Sequence, residues 1–288
     1  MASIVIPMYN ELEAIGDELE LITATMEADG RPYEIIVVDD GSTDGCTDIV
    51  RQWDGVRLIQ HTHNRGTGAA RTTGLRAAQG EVVIMTDADG TYPNQDMPHL
   101  LDALQCCDMV IGARKRESGT MRWLRTPAKT SIRLLASYLA GTPIPDLNSG
   151  FRAFRRDVAM RYLNVLPNTH SWVSTLTLTF LTNGYTVEFM PIDYYPRKGR
   201  SKFHPLKDTY NYLMQVIRTV MYFNPLKIFV PLSVTIFLFG TAKLIHDLFL
   251  AFYPRIREST VILLVLAFMV LMNGLLADLI VTQHRRVD

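Results

Sequence analysis

The chain is poor in cysteine and balanced in charge. Cys46, Cys106 and Cys107 are its 3 cysteines in 288 residues. They are too few and too irregularly spaced for a disulfide framework or a zinc site, and are expected as reduced thiols facing the cytosol. Lys+Arg 29 against Asp+Glu 29 gives a net charge of zero, which argues against a general nucleic-acid binder. The N-terminus reads Ala2-Ser3-Ile4-Val5-Ile6-Pro7, a short strand rather than a basic stretch followed by a long apolar one, so no export signal is expected. A dinucleotide-binding fingerprint is lacking as well. His63-Asn64-Arg65-Gly66-Thr67-Gly68-Ala69-Ala70-Arg71 carries Arg71 where the third small residue belongs and does not follow the first strand. Gly66 and Gly68 are expected to allow a tight helix entry, with Arg65 near a phosphate.

What is present begins with alternation. Segments 3–7, 34–39, 56–61, 81–87 and 108–112 read as strands, and 11–29, 44–53, 67–79 and 96–105 as helices. Strands alternating with helices imply βαβ units and a mostly parallel sheet. Ligands of such sheets bind beyond the carboxyl ends of strands, near a topological switch. Asp39-Asp40 and Asp87-Ala88-Asp89 both fall at such ends. A hard divalent cation takes oxygen ligands, and Mg²⁺ is typically held by one or two carboxylates plus substrate phosphates. The Asp87/Asp89 pair therefore reads as a grip on a nucleoside diphosphate through a metal. Asp39-Asp40 followed by Ser42 and Thr43 exceeds what capping the next helix requires. Read alone, Ile6-Pro7-Met8-Tyr9-Asn10-Glu11 is a turn and helix start; Tyr9 and Glu11 there also suit a nucleobase face and a base or ribose hydrogen bond.

The C-terminal part differs. Segments 226–250 and 260–282 are long apolar runs joined by 251–259, each near the ~20 residues a bilayer-spanning helix needs. The plainer alternative is a pair of buried core helices. Arg285-Arg286 favours a cytoplasmic C-terminus, whereas Arg255 and Arg257 in the connecting loop weaken the asymmetry. With no export signal, both termini are placed in the cytoplasm. Segments 129–139 and 205–224 are amphipathic with flanking basic residues, which suits a membrane interface; for 129–139 an ordinary helix packed on the sheet is an equal alternative, whereas 205–224 runs directly into an apolar run, which favours the interface. Between Arg114 and Arg133 stand Arg114, Lys115, Arg116, Arg122, Arg125, Lys129 and Arg133 against one acid, Glu117. Such a local basic patch in a neutral chain points to a defined anionic partner.

Pro7-Met8-Tyr9-Asn10-Glu11, Val38-Asp39-Asp40-Gly41-Ser42-Thr43-Asp44, Asn64-Arg65-Gly66 and Asp87-Ala88-Asp89-Gly90, in this order, resemble the GT-A glycosyltransferases of family 2. Asp146-Leu147-Asn148-Ser149-Gly150-Phe151-Arg152, Arg197-Lys198-Gly199-Arg200-Ser201-Lys202-Phe203 and the terminal apolar pair narrow the resemblance to polyprenyl-phosphate glycosyltransferases. These include dolichyl-phosphate mannose synthases and bactoprenol glucosyltransferases. The resemblance implies a GT-A catalytic domain over 1–204, an amphipathic interfacial helix over 205–225 and a two-helix transmembrane anchor over 226–288. It implies a UDP- or GDP-sugar donor, Mg²⁺ or Mn²⁺ as cofactor, a dolichyl or undecaprenyl phosphate acceptor, and contact with membrane lipids of the cell or ER membrane. By position, Pro7, Tyr9, Glu11, Asp39 and Asp87 would bind the nucleotide, and Asp87 and Asp89 the metal. Asp89, Arg197 and Lys202 would carry the chemistry, with Arg197 neutralising the donor diphosphate. Arg114 and Ser131 match acceptor-phosphate positions; a second cationic position falls to Arg125 or Lys129. Thr91 stands where mannose synthases often carry Gln, which weakens any transfer of sugar specificity.

The region His170-Ser171-Trp172-Val173-Ser174-Thr175 holds no carboxylate. A phosphate acceptor, already anionic, needs no strong general base there, and its direct attack would invert the anomeric centre. A processive polysaccharide synthase is the second enzyme reading. Trp123 follows Arg122 but no Gln stands at the spacing such synthases show, and two spans form no obvious pore. A non-catalytic sugar-nucleotide-binding scaffold is the third, and the intact Asp87/Asp89 pair speaks against it. Assembly into a homo-oligomer is left open.

Overall fold

A computed structural model describes residues 1–115, 134, 136–138, 140–169, 171–196, 214, 217–218, 221–222, 224–250 and 255–284. The chain divides into two compact units, Met1–Val216 and Ile217–Asp288.

The first unit is built on a seven-stranded sheet of order β3-β2-β1-β4-β6-β5-β7. Its strands are β1 (Ala2–Met8), β2 (Tyr33–Asp39), β3 (Val56–Gln60), β4 (Val82–Met85), β5 (Met109–Arg114), β6 (Arg152–Arg155) and β7 (Val187–Ile192). β6 alone runs against its neighbours β4 and β5, and the other pairings are parallel. The helices are α1 (Ile15–Asp29), α2 (Cys46–Arg51), α3 (Thr67–Ala77), α4 (Met97–Ala103), α5 (Arg156–Arg161) and α6 (Trp172–Thr182). This is the mixed, mostly parallel α/β architecture that the alternation implies.

The apolar periodicity explains the layers. Side chains alternate across a strand. Ile4, Ile6 and Met8 of β1 therefore join Ile35, Val37 and Ile84 in one core with Ile15, Leu19, Ile22 and Met26 of α1. Val5 joins Ile36, Val38, Val83 and Met85 in the opposite core, with Ala70, Leu75, Trp172 and Leu176. Strands covered on both faces read as continuous apolar runs, which is why β1, β2 and β4 stand out in the sequence. The strand order reverses at β1, flanked by β2 and β4. Such a switch point opens a crevice at the carboxyl ends of the strands.

Several boundaries differ from the sequence expectation. α1 starts at Ile15, not residue 11, because 11–14 form a turn in which the Glu11 carbonyl accepts the Ala14 and Ile15 N–H groups. β4 stops at Met85, so Asp87 lies two residues past the strand rather than on it. Thr86 turns out of the sheet and donates its hydroxyl to Asn94 Oδ1 at 2.7 Å. β6 and β7 were not expected. β6 carries Arg at both ends, and β7 contains Pro191; Pro is tolerated on an edge strand, where its missing N–H breaks no ladder.

In the second unit, α7 (Leu226–Ile245) continues through a π-turn at His246–Leu250, and α8 (Glu258–His284) follows. The two helices meet through small residues. A Cβ at Gly274 would lie 2.4 Å from Phe229 Cβ, and one at Gly240 would lie 2.9 Å from Leu264 Cδ2. Ser233 donates to the Ala267 carbonyl at 2.8 Å. Asp247 is buried where the helices join and accepts the Thr260 hydroxyl. The stretches Leu226–Phe249 and Glu258–Gln283, with mean hydropathy 2.0 and 2.5, are only 11% and 17% buried. Core helices of a soluble domain would be covered. These leave Phe239 and Phe268 more than half exposed, and they are long and apolar enough to cross a bilayer.

The expected amphipathic segments fall largely outside the described residues. Of 129–139, Ala136 is buried while Leu134 and Tyr138 are exposed; of 205–224, Met214, Met221 and Tyr222 are exposed. Ile132, Leu135 and Leu139 lie outside the described residues.

Candidate active site

The loops after β1, β2 and β4 meet at the switch point. The first two are knit together. The Asn10 N–H donates to Ser42 Oγ at 3.0 Å, Asn10 Oδ1 accepts the Thr43 N–H at 2.8 Å, and the Leu12 N–H reaches Asp44 Oδ2 at 3.0 Å. Asn10 takes a left-handed φ of 55° to do so, a conformation Asn tolerates better than most residues. Tyr9 and Glu11 emerge half-buried from this joint, while Pro7 is buried within β1 opposite Val38.

The two adjacent acids of β2 turn inward. Asp39 is fully buried. Its Oδ1 accepts the Ser42 N–H at 2.9 Å and its Oδ2 the Thr47 hydroxyl at 2.7 Å. Asp40 accepts the N–H groups of Arg65 and Gly66 at 2.9 and 2.8 Å, and its Oδ1 lies 2.7 Å from His61 Nδ1. Both carboxylates thus shape loops, and Asp39 fixes Ser42, which in turn accepts the Asn10 N–H of the loop after β1. The Asp40–His61 link was not foreseen. The excess of acid over capping need at this strand end was its one signal.

The glycines of the 66–68 segment serve a close approach. A Cβ at Gly66 would lie 2.3 Å from the Asn168 carbonyl oxygen, and one at Gly68 would lie 2.3 Å from that of Pro167. The entry to α3 is therefore covered by the 167–169 backbone, and Arg65 is exposed beside it.

Asp87 and Asp89 occupy the loop after β4. Asp87 keeps 28% of its side chain exposed, and its Oδ1 accepts Arg71 Nη2 of α3 at 2.7 Å. Asp89 accepts the Thr91 hydroxyl at 2.6 Å. Thr91, the departure from the family pattern, thus supports the second acid. Tyr92 accepts the Gly150 N–H on its hydroxyl at 2.7 Å and stacks on Phe151; burial pushes its phenol well above the usual range. A Cβ at Gly150 would lie 2.8 Å from Asp87 Oδ2, so only glycine leaves this carboxylate its place. Beneath lies Arg152, wholly buried. It donates to the Ser149 and Val173 carbonyls and to Thr177 Oγ1. Burial first, and then the like charge of Arg71, push it down to about 9.

Two carboxylates on one loop, with one braced by glycine and the other by a hydroxyl, fit a hard cation that takes its remaining oxygens from a diphosphate and water. Among the described residues no three His, Cys, Asp or Glu side chains gather; Asp87 and Asp89 are the two carboxylates of this loop.

Arg114 is placed on Asp146 rather than in the open. Its Nε lies 2.6 Å from Asp146 Oδ2, its Nη2 2.9 Å from Oδ1, and its guanidinium sits 5.2 Å from the Tyr194 ring centroid. Such bidentate pairs are among the stronger charge-assisted contacts. Burial alone would raise the Asp146 carboxyl; the Arg114 hydrogen bond and charge outweigh it and hold the acid below its ordinary 3.8. A depressed folded-state carboxyl contributes stability above its unfolded pKa and loses it as pH falls through the folded one. Thermal unfolding from pH 5 towards about pH 3 should therefore show a stability loss that Asp146→Asn removes; equal pH slopes in both proteins would refute the assignment. Arg125, Lys129, Ser131, Arg197, Ser201 and Lys202 lie outside the described residues.

Residues 3–163 match the model described as glycosyl transferase family 2, and residues 224–282 match a model described as the GtrB C-terminal hairpin. The chain is 32% identical over 215 residues to polyprenol monophosphomannose synthase of Mycolicibacterium smegmatis, covering 69% of this chain and 79% of that one. It is 33% identical over 205 residues to dolichyl-phosphate hexose transferase of Haloferax volcanii, covering 70% and 86%. An undecaprenyl-phosphate 4-deoxy-4-formamido-L-arabinose transferase of Aeromonas hydrophila shares 32% identity, and the match spans only 50% of its length. Among solved structures, glucosyl-3-phosphoglycerate synthase of Mycobacterium tuberculosis with Mn²⁺, UDP and glucosyl-3-phosphoglycerate superposes with a TM-score of 0.55 at 22% identity, covering 77% of this chain and 78% of that one. That likeness is one of fold.

Proposed function

The chain belongs to glycosyl transferase family 2, and from that premise we propose that it moves one sugar from a UDP- or GDP-sugar to a polyprenyl phosphate, with inversion, at the cytoplasmic face of a membrane. The observation that carries this reading is the Asp87–Asp89 loop at the sheet's switch point, in a chain whose other unit is an apolar helical hairpin. The relatives named as polyprenol, dolichyl-phosphate and undecaprenyl-phosphate sugar transferases support the lipid acceptor. The catalytic domain is taken to run over 1–204, an interfacial helix over 205–225 and the anchor over 226–288.

The nucleoside lies against Tyr9 and Glu11, on the loop that Asp39 and Ser42 brace. Asp87 and Asp89 hold Mg²⁺ or Mn²⁺, which when bound supplies the positive charge that stabilises a departing diphosphate. Arg197 and Lys202 are assigned to the same diphosphate. The acceptor phosphate meets the basic segment that begins at Arg114 and includes Arg125 or Lys129, with Ser131. α6, which follows the base position of relatives with hydroxyl acceptors, contains no acid among its residues. An acceptor that arrives as an anion needs none, since its oxygen attacks directly.

The test is transfer of radiolabelled sugar from a panel of UDP- and GDP-sugars to undecaprenyl or dolichyl phosphate, with and without Mn²⁺. A butanol-extractable glycolipid from one donor, formed only with metal, is expected. Donor binding without lipid product from any donor would overturn the acceptor assignment.

A further inference from the structure

Two buried guanidiniums lie under the Asp87–Asp89 loop, and the transfer reaction as derived above uses neither. Arg71 is 4% exposed and Arg152 0%. Arg71 makes one ion pair, with Asp87 Oδ1, and its Nε has no hydrogen-bond partner among the described residues. Arg152 bonds two carbonyls and a hydroxyl, and no carboxylate lies within ion-pair distance of it among the described residues. The local charge is therefore balanced as it stands: two carboxylates on the loop against two guanidiniums beneath it. A divalent cation alone would add two positive charges above Arg71 and Arg152, in a setting where burial weakens solvent screening. A diphosphate alone would add its negative charge beside Asp87 and Asp89. A cation together with the diphosphate of a nucleotide-sugar, which carries two negative charges, restores balance.

We propose that Arg71 is a positioning residue that makes cation binding at Asp87 and Asp89 conditional on a nucleoside diphosphate. The inference rests on the metal-site reading above. Arg71 holds Asp87 in place and occupies one of its oxygens, so the free protein presents the loop already neutralised. The bound diphosphate supplies the charge that lets the cation in. By linkage, the cation tightens diphosphate binding by the same factor.

The experiment is a titration of full-length protein in detergent with Mn²⁺, read by the loss of the free Mn²⁺ EPR signal, alone and with saturating UDP or GDP. In the wild type the diphosphate should tighten Mn²⁺ binding at least about tenfold. Arg71→Met should tighten Mn²⁺ binding in the absence of nucleotide by at least about tenfold and shrink the coupling. Arg71→Lys, which keeps the charge, should behave as wild type. Unchanged Mn²⁺ affinity in Arg71→Met, or a lysine variant that matches methionine, would overturn the proposal. If circular dichroism shows that Arg71→Met does not fold, the wild type decides: Mn²⁺ bound equally tightly with and without diphosphate overturns it. Coupling without lipid product would leave the inference standing and remove the acceptor reading; sugar transfer without coupling would do the reverse.

Discussion

Asp89→Ala should lower sugar transfer by at least about a thousand-fold, because several kcal/mol of metal-borne charge stabilisation leave with the carboxylate and each 1.4 kcal/mol is a factor of about ten. The fold should survive. Asp89 accepts the N–H and hydroxyl of Thr91, two residues away, and belongs to neither hydrophobic core. Losing a local hydrogen bond of this kind costs about 1–3 kcal/mol, a shift of a few degrees in Tm for a domain this size. Asp89→Asn sharpens the test. It retains an oxygen for the Thr91 hydroxyl but removes the charge, so it should lose transfer as fully as alanine does while keeping more of the Tm. The measurements are transfer from the active donor at saturating Mn²⁺, and thermal unfolding by circular dichroism. Turnover retained in either variant would take Asp89 out of the metal site.

The sequence made the scaffold legible where burial is two-sided. β1, β2 and β4 each carry an unbroken apolar run, 4–8, 35–38 and 82–85, and their order with the helices implied the parallel sheet. β6 escaped because one of its three buried positions is filled by Arg152, whose charge is satisfied by the Ser149 carbonyl and by the Val173 carbonyl of α6; no local pattern encodes the second of these partners, 21 residues along the chain. β7 escaped because Pro191 argues against a strand unless one knows it lies at the edge. The apolar hairpin was legible from length alone, and its exposed Phe239 and Phe268 separate it from core helices.

The site was legible in part, and the division is physical. Asp87 and Asp89 lie two residues apart, so spacing alone put them on one loop. Arg71 comes from α3, 16 residues before Asp87, and in the sequence it registers only as a glycine missing from a fingerprint. Asp39 and Asp40 stood out only as more acid than a cap requires; both accept bonds from neighbouring loops, since a turn that buries its backbone N–H groups must supply acceptors for them. Asp146 and Gly150 carried no chemical signal of their own. Their parts, holding Arg114 and making room for Asp87, follow from close approach across 32 residues in one case and from an absent Cβ in the other.

Removing residues 217–288 should separate catalysis from access. Met1–Val216 is a compact unit with its own two cores, so donor binding should persist. A long-chain polyprenyl phosphate is confined to a bilayer. An enzyme anchored there by two spans meets it at an effective concentration that tethering typically raises by factors of about 10² to 10⁴. The truncated protein should therefore lose about 100-fold or more on long-chain acceptor in vesicles, while staying within a few-fold of full length on a short-chain acceptor dispersed in detergent. The comparison of the two acceptors carries the argument. An equal loss on both would make the hairpin a support for the catalytic unit rather than its anchor. A truncated protein that still sediments with vesicles would assign the anchoring to the amphipathic segments before residue 217, because their exposed apolar side chains, Leu134 and Tyr138 among them, would then suffice to hold the enzyme on the surface.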